Sequence, residues 1–133
     1  MTESTPIRLV VVDDDEPGRR MLRRVLERRS GYEVHEAVDG PSGLELIRRV
    51  APAAIMLDLR MPGGLSGFDV ARALRDDPET REIPVLIVSA SVHNDARELA
   101  DEVGAFGFVE KPVDFGELYS MLDNALASVT DVR

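Results

Sequence analysis

The sequence predicts an α/β fold, with five parallel strands in one sheet and helices on both faces. Three observations point there. Short, nearly continuous apolar runs recur along the chain, as parallel strands covered on both sides require. Each run is followed by a segment whose apolar residues fall at helical spacing. Each right-handed crossover between neighbouring parallel strands must carry a helix over the sheet, so five such repeats give helices on both faces.

The strands are expected at Ile7 to Val12, Tyr32 to Val38, Ala53 to Asp58, Val85 to Ser89 and Phe106 to Glu110. Met21, Leu22, Val25 and Leu26 form the first helical stripe, Leu44 and Ile47 the second, and Phe68, Ala71 and Leu74 the third. Ala96, Leu99, Ala100 and Val103 form the fourth, ended by Gly104, and Phe115, Leu118, Leu122 and Ala125 the fifth. Asp114 followed by Glu117 has the spacing of a capping box at the last helix.

At 133 residues, with no repeat and no linker-like stretch, the chain is expected to form one domain over 1–133. There is no cysteine, hence no disulfide or thiolate metal site. No apolar run has membrane-spanning length and no secretory leader precedes Ile7, so a soluble cytoplasmic protein is expected. The net charge of −9, from 25 acids against 16 Lys plus Arg, argues against direct binding to nucleic acid and for a protein partner.

Ligands of a doubly wound sheet bind at the carboxyl ends of its strands. There the chain places Asp13, Asp14 and Asp15 after strand one, Asp58 at the end of strand three, Ser89 at the end of strand four and Lys111 after strand five. Alone, "DDDEP" is as well read as a solvated turn and helix cap. With Asp58 opening beside it, converging carboxylates would raise one another's pKa unless a divalent cation were present. Oxygen-only ligands suit Mg²⁺, which keeps several waters and accepts a phosphate. Acids stand where a dinucleotide fold would have its glycine-rich loop, which weakens a nucleotide-binding reading. Lys111 is the only lysine in a chain that otherwise uses arginine. A compact ammonium facing the acids explains that choice, with chance as the rival explanation. His35 and His93 show no ligand spacing and are taken as surface residues.

The combination "LVVVDDDEP", "MLDLRMP", "PVLIVSAS" and "GAFGFVEKPVD" resembles the receiver domain of two-component response regulators, with the chemotaxis regulator as minimal example. The resemblance covers about 7–126. It implies a flavodoxin-like (βα)5 fold of strand order 2-1-3-4-5. It also implies that Asp58 accepts a phosphoryl group from a histidine kinase or phosphotransfer protein, without multiple turnover. Asp14 matches a direct Mg²⁺ ligand, Asp13 its water-mediated companion, and the backbone carbonyl of Arg60 the third protein ligand. Ser89 and Lys111 match the groups that hold the phosphoryl oxygens, and the Lys111–Pro112 bond is cis in the family. Ser89 and Phe108 match the switch pair that alters the surface of helix four, strand five and helix five.

Asp15 and Glu16 are left as cap and solvated residues before Pro17. "MPGGLSG" is one residue longer than the usual family spacing, which implies a wider loop after strand three. Arg60 and Ser91 occupy positions that in the family influence hydrolysis of the acyl phosphate, and the long guanidinium of Arg60 is expected to slow it. Helix five has no basic residue to set against Asp101 and Glu102 on helix four, so a monomer or weak dimer is expected. Arg19, Arg20, Arg23, Arg24, Arg28 and Arg29 line helix one, where the family docks its phosphodonor.

Two rival readings stand beside this one. A Mg²⁺-dependent phosphatase with an aspartyl nucleophile shares the chemistry, but usually carries an acid where this chain has Arg60. A pseudo-receiver would serve only as a binding module, against the intact Asp14, Asp58, Ser89 and Lys111. No effector follows Leu126 in the sequence, so the chain is expected either to act alone or to be the receiver of something longer.

Overall fold

The computed structural model describes residues 5–61, 65–90 and 94–130, with backbone alone at 94–96 and 130. Strands and helices alternate: β1 Ile7–Val12, α1 Glu16–Glu27, β2 Tyr32–Ala37, α2 Gly40–Val50, β3 Ala54–Leu57, α3 Gly67–Asp76, β4 Val85–Ser89, α4 Asn94–Glu102, β5 Gly107–Glu110 and α5 Phe115–Thr130. All strand pairs are parallel, in the order β2-β1-β3-β4-β5. This is the flavodoxin-like arrangement.

The sheet buries both faces because alternate side chains of each strand point to opposite sides. Leu9 and Val11 of β1, Met56 of β3 and Leu86 and Val88 of β4 pack with Leu22 and Leu26 of α1 and Leu118, Leu122 and Ala125 of α5. Val10, Val12, Ile55, Leu57 and Ile87 pack on the other side with Ile47 of α2, Val70, Ala71 and Leu74 of α3, and Ala100 and Val103 of α4. Each fully buried aliphatic side chain contributes about 1.5–3 kcal/mol from area removed from water. β1 lies between β2 and β3, so the chain reverses its direction of winding there. A crevice opens at such a reversal, beyond the carboxyl ends of β1 and β3.

Helix starts follow local chemistry. Asp15 caps α1, accepting from Gly18 N at 3.2 Å, with Pro17 in the first turn. Asp39 caps α2, accepting from Ser42 N at 2.9 Å. Asp114 accepts from Glu117 N at 3.1 Å, which is one half of the capping box expected there. The complete reciprocal box lies instead at α3, between Ser66 and Asp69. Gly104 ends α4 at φ 75°, with Gly104 N donating to Asp101 O and Ala105 N to Ala100 O, the paired bonds of a Schellman motif.

Four strand bounds differ from the sequence expectation, one of them the end of β3, which stops at Leu57 and leaves Asp58 just beyond the strand. β2 stops at Ala37, and Val38 is exposed beyond the last ladder partner. β3 begins at Ala54, and β5 begins at Gly107 with Phe106 exposed. The first helical stripe is also corrected. Met21 is 52% exposed, and Arg19 takes its place beside Leu22, Val25 and Leu26 on the buried face. The longer loop expected around 62–64, and Ser91 and His93, lie outside the described residues, as does the side chain of Ala96. His35 is partly exposed and meets Glu33 at 2.7 Å.

Among the described residues, no helix is long and apolar enough to cross a membrane.

Candidate functional site

Each acid of the site is delivered by the end of an apolar strand. Asp13 and Asp14 follow Val12, and Asp58 follows Leu57, its N–H donating to Val12 O at 3.0 Å. That bond continues the β1–β3 ladder one step beyond the strands and fixes the two loops against each other. Asp13 and Asp58 are buried, at 4% and 7% exposure, while Asp14 faces solvent. Carboxylate oxygens of all three lie within 4.8 Å of one another.

Lys111, just past β5, closes the site from the other side. Its Nζ donates to Asp13 Oδ2 at 2.8 Å and to Asp58 Oδ2 at 3.2 Å. The adjoining Lys111–Pro112 bond is cis. Asp58 Oδ1 accepts from Arg60 N at 3.2 Å and Asp13 Oδ1 from Asp15 N at 2.9 Å. Ser89 is fully buried at the end of β4, and its carbonyl accepts from Lys111 N at 2.9 Å. A groove of about 300 Å³ runs from Asp13 and Lys111 past Met21, Leu22, Pro112 and Phe115, and a second hollow of about 500 Å³ joins Asp14 to Arg60, Met61 and Ser66.

Burial raises the pKa of Asp58 first, and the charge of Asp13 raises it further, against the pull of Lys111 and the Arg60 N–H. Burial works to lower the pKa of Lys111, but its hydrogen bond to Asp13 and the attraction of Asp58 and Asp13 outweigh that and raise it. One ammonium therefore only partly offsets three acids. The donor set is all hard oxygen, with one carboxylate open to solvent, and these residues fit Mg²⁺.

A raised folded-state pKa means that the ionised Asp58 strains the fold. Its favourable contribution is present below the unfolded pKa and is lost as pH rises through the folded one. Without divalent cation, Asp58→Asn is therefore expected to melt higher than the wild type at pH 7, with the gap closing as the pH is lowered. Thermal melts of both proteins at pH 7 and pH 4 check this, and an Asn variant that melts lower at pH 7 contradicts it.

The remaining residues singled out from sequence fall as follows. Phe108 is half-buried on β5, with the Arg97 guanidinium 4.8 Å from its ring centre and Arg97 also 3.7 Å from Glu110. Asp15 belongs to the helix cap and not to the acidic site. The arginines of α1 are not a uniform solvated face. Arg19 is buried, Arg20 pairs with Glu16, Arg23 with Glu27 and Glu36, and Arg29, just beyond α1, with Asp123, while Arg24 and Arg28 are exposed. Arg29 also stacks 4.0 Å from the Tyr119 ring, and the Tyr119 hydroxyl donates to Val25 O, which joins α1 to α5.

Two residues at the site escape sequence reasoning. Arg19 donates to the carbonyl of Asp13 at 2.9 Å, and Gly67 packs directly on the backbone of Asp58. The helical phase is the signal for Arg19, since it lies one turn before Leu22. Gly67 has no signal of its own beyond being the glycine that follows the Met-Pro loop.

The chain matches the family model described as the response regulator receiver domain over residues 9–123. It is 44% identical over 107 residues to Response regulator PleD of Caulobacter vibrioides, covering 80% of this chain and 23% of that protein. It is 34% identical over 120 residues to Protein PilH of Pseudomonas aeruginosa, covering 90% of this chain and 98% of that one. The chain thus spans under a quarter of PleD and almost all of PilH. Among solved structures, a two-component response regulator of the LuxR family from Aurantimonas superposes with a TM-score of 0.83 at 33% identity, covering 94% of this chain and 87% of that one. The chemotaxis protein CheY4 of Vibrio cholerae superposes at 0.82 with 26% identity, covering 92% and 99%. With the sheet order, the acids at its carboxyl edge and these matches together, the chain belongs to the response regulator receiver domains of two-component signalling.

Proposed function

We propose that the chain is a single receiver domain over 1–133 that takes a phosphoryl group onto Asp58 in a Mg²⁺-dependent reaction and thereby switches a protein-binding surface. Receiver domains generally bind Mg²⁺ at such an acidic cluster, interact with histidine kinases, and are not multiple-turnover enzymes. The observation that carries the reading for this chain is the bridge of Lys111 Nζ between Asp13 and Asp58, with Asp14 beside them on the solvent side.

In that reading an ionised oxygen of Asp58 attacks the phosphorus of a phosphohistidine on a kinase or phosphotransfer protein. The O–P bond forms as the N–P bond breaks, and the electron pair stays on the imidazole nitrogen, which then takes a proton. No general base is required, because the nucleophile is already a carboxylate. Asp13, Asp14, Asp58 and the carbonyl of Arg60 would hold Mg²⁺, with Asp13 acting through water. When bound, the ion supplies positive charge to the phosphoryl oxygens. Lys111 adds the second positive charge and the Ser89 hydroxyl a hydrogen bond, so both orient the group for in-line transfer. In the cytoplasm the donor would approach over the groove beside α1.

The switch follows from the same atoms. Engagement of Ser89 with the phosphoryl group would shift the end of β4, and Phe108 on the adjacent β5 would follow. Phenylalanine has no hydroxyl, so packing against Arg97 would replace a phenolic hydrogen bond as the local restraint. With no cation on α5 and Asp123 already paired within the chain, a monomer or weak dimer is favoured.

Incubation with acetyl phosphate and Mg²⁺ tests the reading. The expected result is one base-labile, hydroxylamine-sensitive phosphoryl group per chain, mapped by mass spectrometry to the Asp58 peptide. An intact protein that takes up none would favour a binding module instead, and sustained hydrolysis of phosphate esters would favour a phosphatase. Arg60→Asn probes the lifetime of the product. Arg60 shares the open hollow beside Asp14, where its charge can shield the acyl phosphate from water. One exposed charged contact is worth up to about 1 kcal/mol, so the variant is expected to lose its phosphoryl group up to roughly fivefold faster. An unchanged decay rate contradicts the shielding.

A further inference from the structure

We infer that Arg19 is a positioning residue for the acidic site: from within α1 it clamps the Asp13 carbonyl, orienting the Asp13–Asp14 peptide and with it the Asp14 carboxylate. The inference rests on the Mg²⁺ reading above.

The side chain of Arg19 is only 10% exposed. A guanidinium taken out of water that far is strongly destabilising unless its donors are matched. Here they are matched: Nε donates to Glu36 Oε1 at 2.7 Å and Nη1 to Asp13 O at 2.9 Å. Glu36, on β2, is held in turn by Arg23, whose Nη1 donates to Glu36 Oε2 at 2.8 Å. Burial works to raise the pKa of Glu36, and the hydrogen bonds from Arg23 and Arg19 overcome it and keep the carboxylate charged. Arg23 also reaches Glu27, whose other oxygen accepts from Val34 N at 3.2 Å. The guanidinium that meets the site is thus anchored to β2 and not left to its own flexible stem.

All four polar handles of Asp13 are engaged. Its N–H donates to Ala37 O at 3.1 Å, its carbonyl accepts from Arg19, and its two carboxylate oxygens accept from Asp15 N and Lys111. Asp14 differs: it is exposed, and its carboxylate has no hydrogen-bond or ion-pair partner among the described residues. The backbone that carries it therefore sets where its Cα–Cβ bond points and which rotamers reach the cluster. The peptide joining Asp13 to Asp14 is planar, so fixing the Asp13 carbonyl also fixes the start of Asp14. Arg19 holds that plane from the protein side and leaves the outer face to the ligand. Partners that orient metal ligands in this way commonly change metal affinity by 10–100-fold when removed.

A Mg²⁺ titration of the unphosphorylated protein, followed by amide NMR, tests this. Arg19→Gln is expected to weaken Mg²⁺ binding roughly tenfold and to shift the Asp14 and Asp15 amides before any metal is added. Arg19→Lys, which keeps the charge but replaces the planar fork by a single ammonium, is expected to recover part of the affinity. Glu36→Gln leaves the guanidinium in place with a weaker anchor and is expected to move in the same direction by less. Arg29→Gln is the stability control, because it breaks an ion pair between the turn after α1 and Asp123 of α5, remote from the acids. The inference is overturned if folded Arg19→Gln and Glu36→Gln bind Mg²⁺ as the wild type does. It is equally overturned if Arg29→Gln weakens binding as much at a similar loss of melting temperature. A wild type that takes up no Mg²⁺ overturns both this inference and the reading on which it rests.

Discussion

Asp14→Ala is expected to abolish Mg²⁺-dependent phosphorylation while leaving the fold intact, and Asp15→Ala to keep phosphorylation while lowering stability. The two residues are neighbours in sequence and both are exposed, so composition and burial do not separate them. Their bonding does. Asp14 lies in the oxygen cluster with Asp13 and Asp58 and serves no hydrogen bond of the fold among the described residues. Removing it takes away a hard oxygen ligand and nothing that holds α1 or β1. Asp15 points the other way and caps α1 through Gly18 N. Loss of such a cap costs about 0.5–2 kcal/mol. Acetyl phosphate labelling with and without Mg²⁺, alongside thermal melts, measures both effects. An Asp14→Ala protein that is labelled at near the wild-type rate would sink the assignment of Asp14 to the metal.

Among the described glycines, Gly67→Ala is expected to be the most destabilising alanine substitution and to damage the site at the same time. A Cβ at Gly67 would stand 2.1 Å from the carbonyl oxygen of Asp58 and 2.6 Å from Leu59 Cα. These are backbone atoms at the end of β3, already tied by Gly67 N donating to Leu59 O at 3.0 Å and by Asp58 N donating to Val12 O. They cannot swing aside, so the start of α3 or the Asp58 loop must move. Overpacking of this kind costs about 3 kcal/mol or more where the obstacle is rigid. A shift of Asp58 by a fraction of an ångström would also spoil its alignment with Lys111. Gly107→Ala is the instructive contrast, because the nearest atom there is the sulfur of Met121, 2.4 Å away on a flexible side chain. Urea denaturation of the two variants should separate them by well over 1 kcal/mol, and equal stabilities would refute the argument.

Much of the fold and of the acidic site can be read directly from the chain. The alternation of apolar runs with helical stripes yields the ten elements in order, because strand and helix periodicities are properties of neighbouring residues. Gly104 as a helix stop and Asp15 as a helix cap follow from the same short-range chemistry. The convergence of Asp13, Asp14, Asp58 and Lys111 is legible for a different reason. In a parallel sheet every strand ends on the same edge, so polar residues that terminate apolar runs are brought together by topology.

What escapes sequence reasoning lies one step further from the backbone. Met21 and Arg19 exchange roles because burial on α1 depends on where β2 and α5 pack, and Glu36 supplies a partner that makes a buried guanidinium tolerable. The arginines of α1 look alike in sequence, yet one holds the site, others are tied up in ion pairs, and Arg29 stacks on Tyr119 across to α5.

The sequence by itself therefore determined the α/β order, the strand ends that carry the acids and the lysine, and the chemistry those groups can offer a divalent cation and a phosphoryl group. Periodicity, caps and residue types act over a few residues, which is why one chain read alone carries them. Only the tertiary structure decided which arginine braces Asp13, why Gly67 must lack a side chain, and that Lys111 bridges Asp13 and Asp58. Those contacts join residues on different elements, from 6 to 98 positions apart, and arise only when helix phase and strand register are set together.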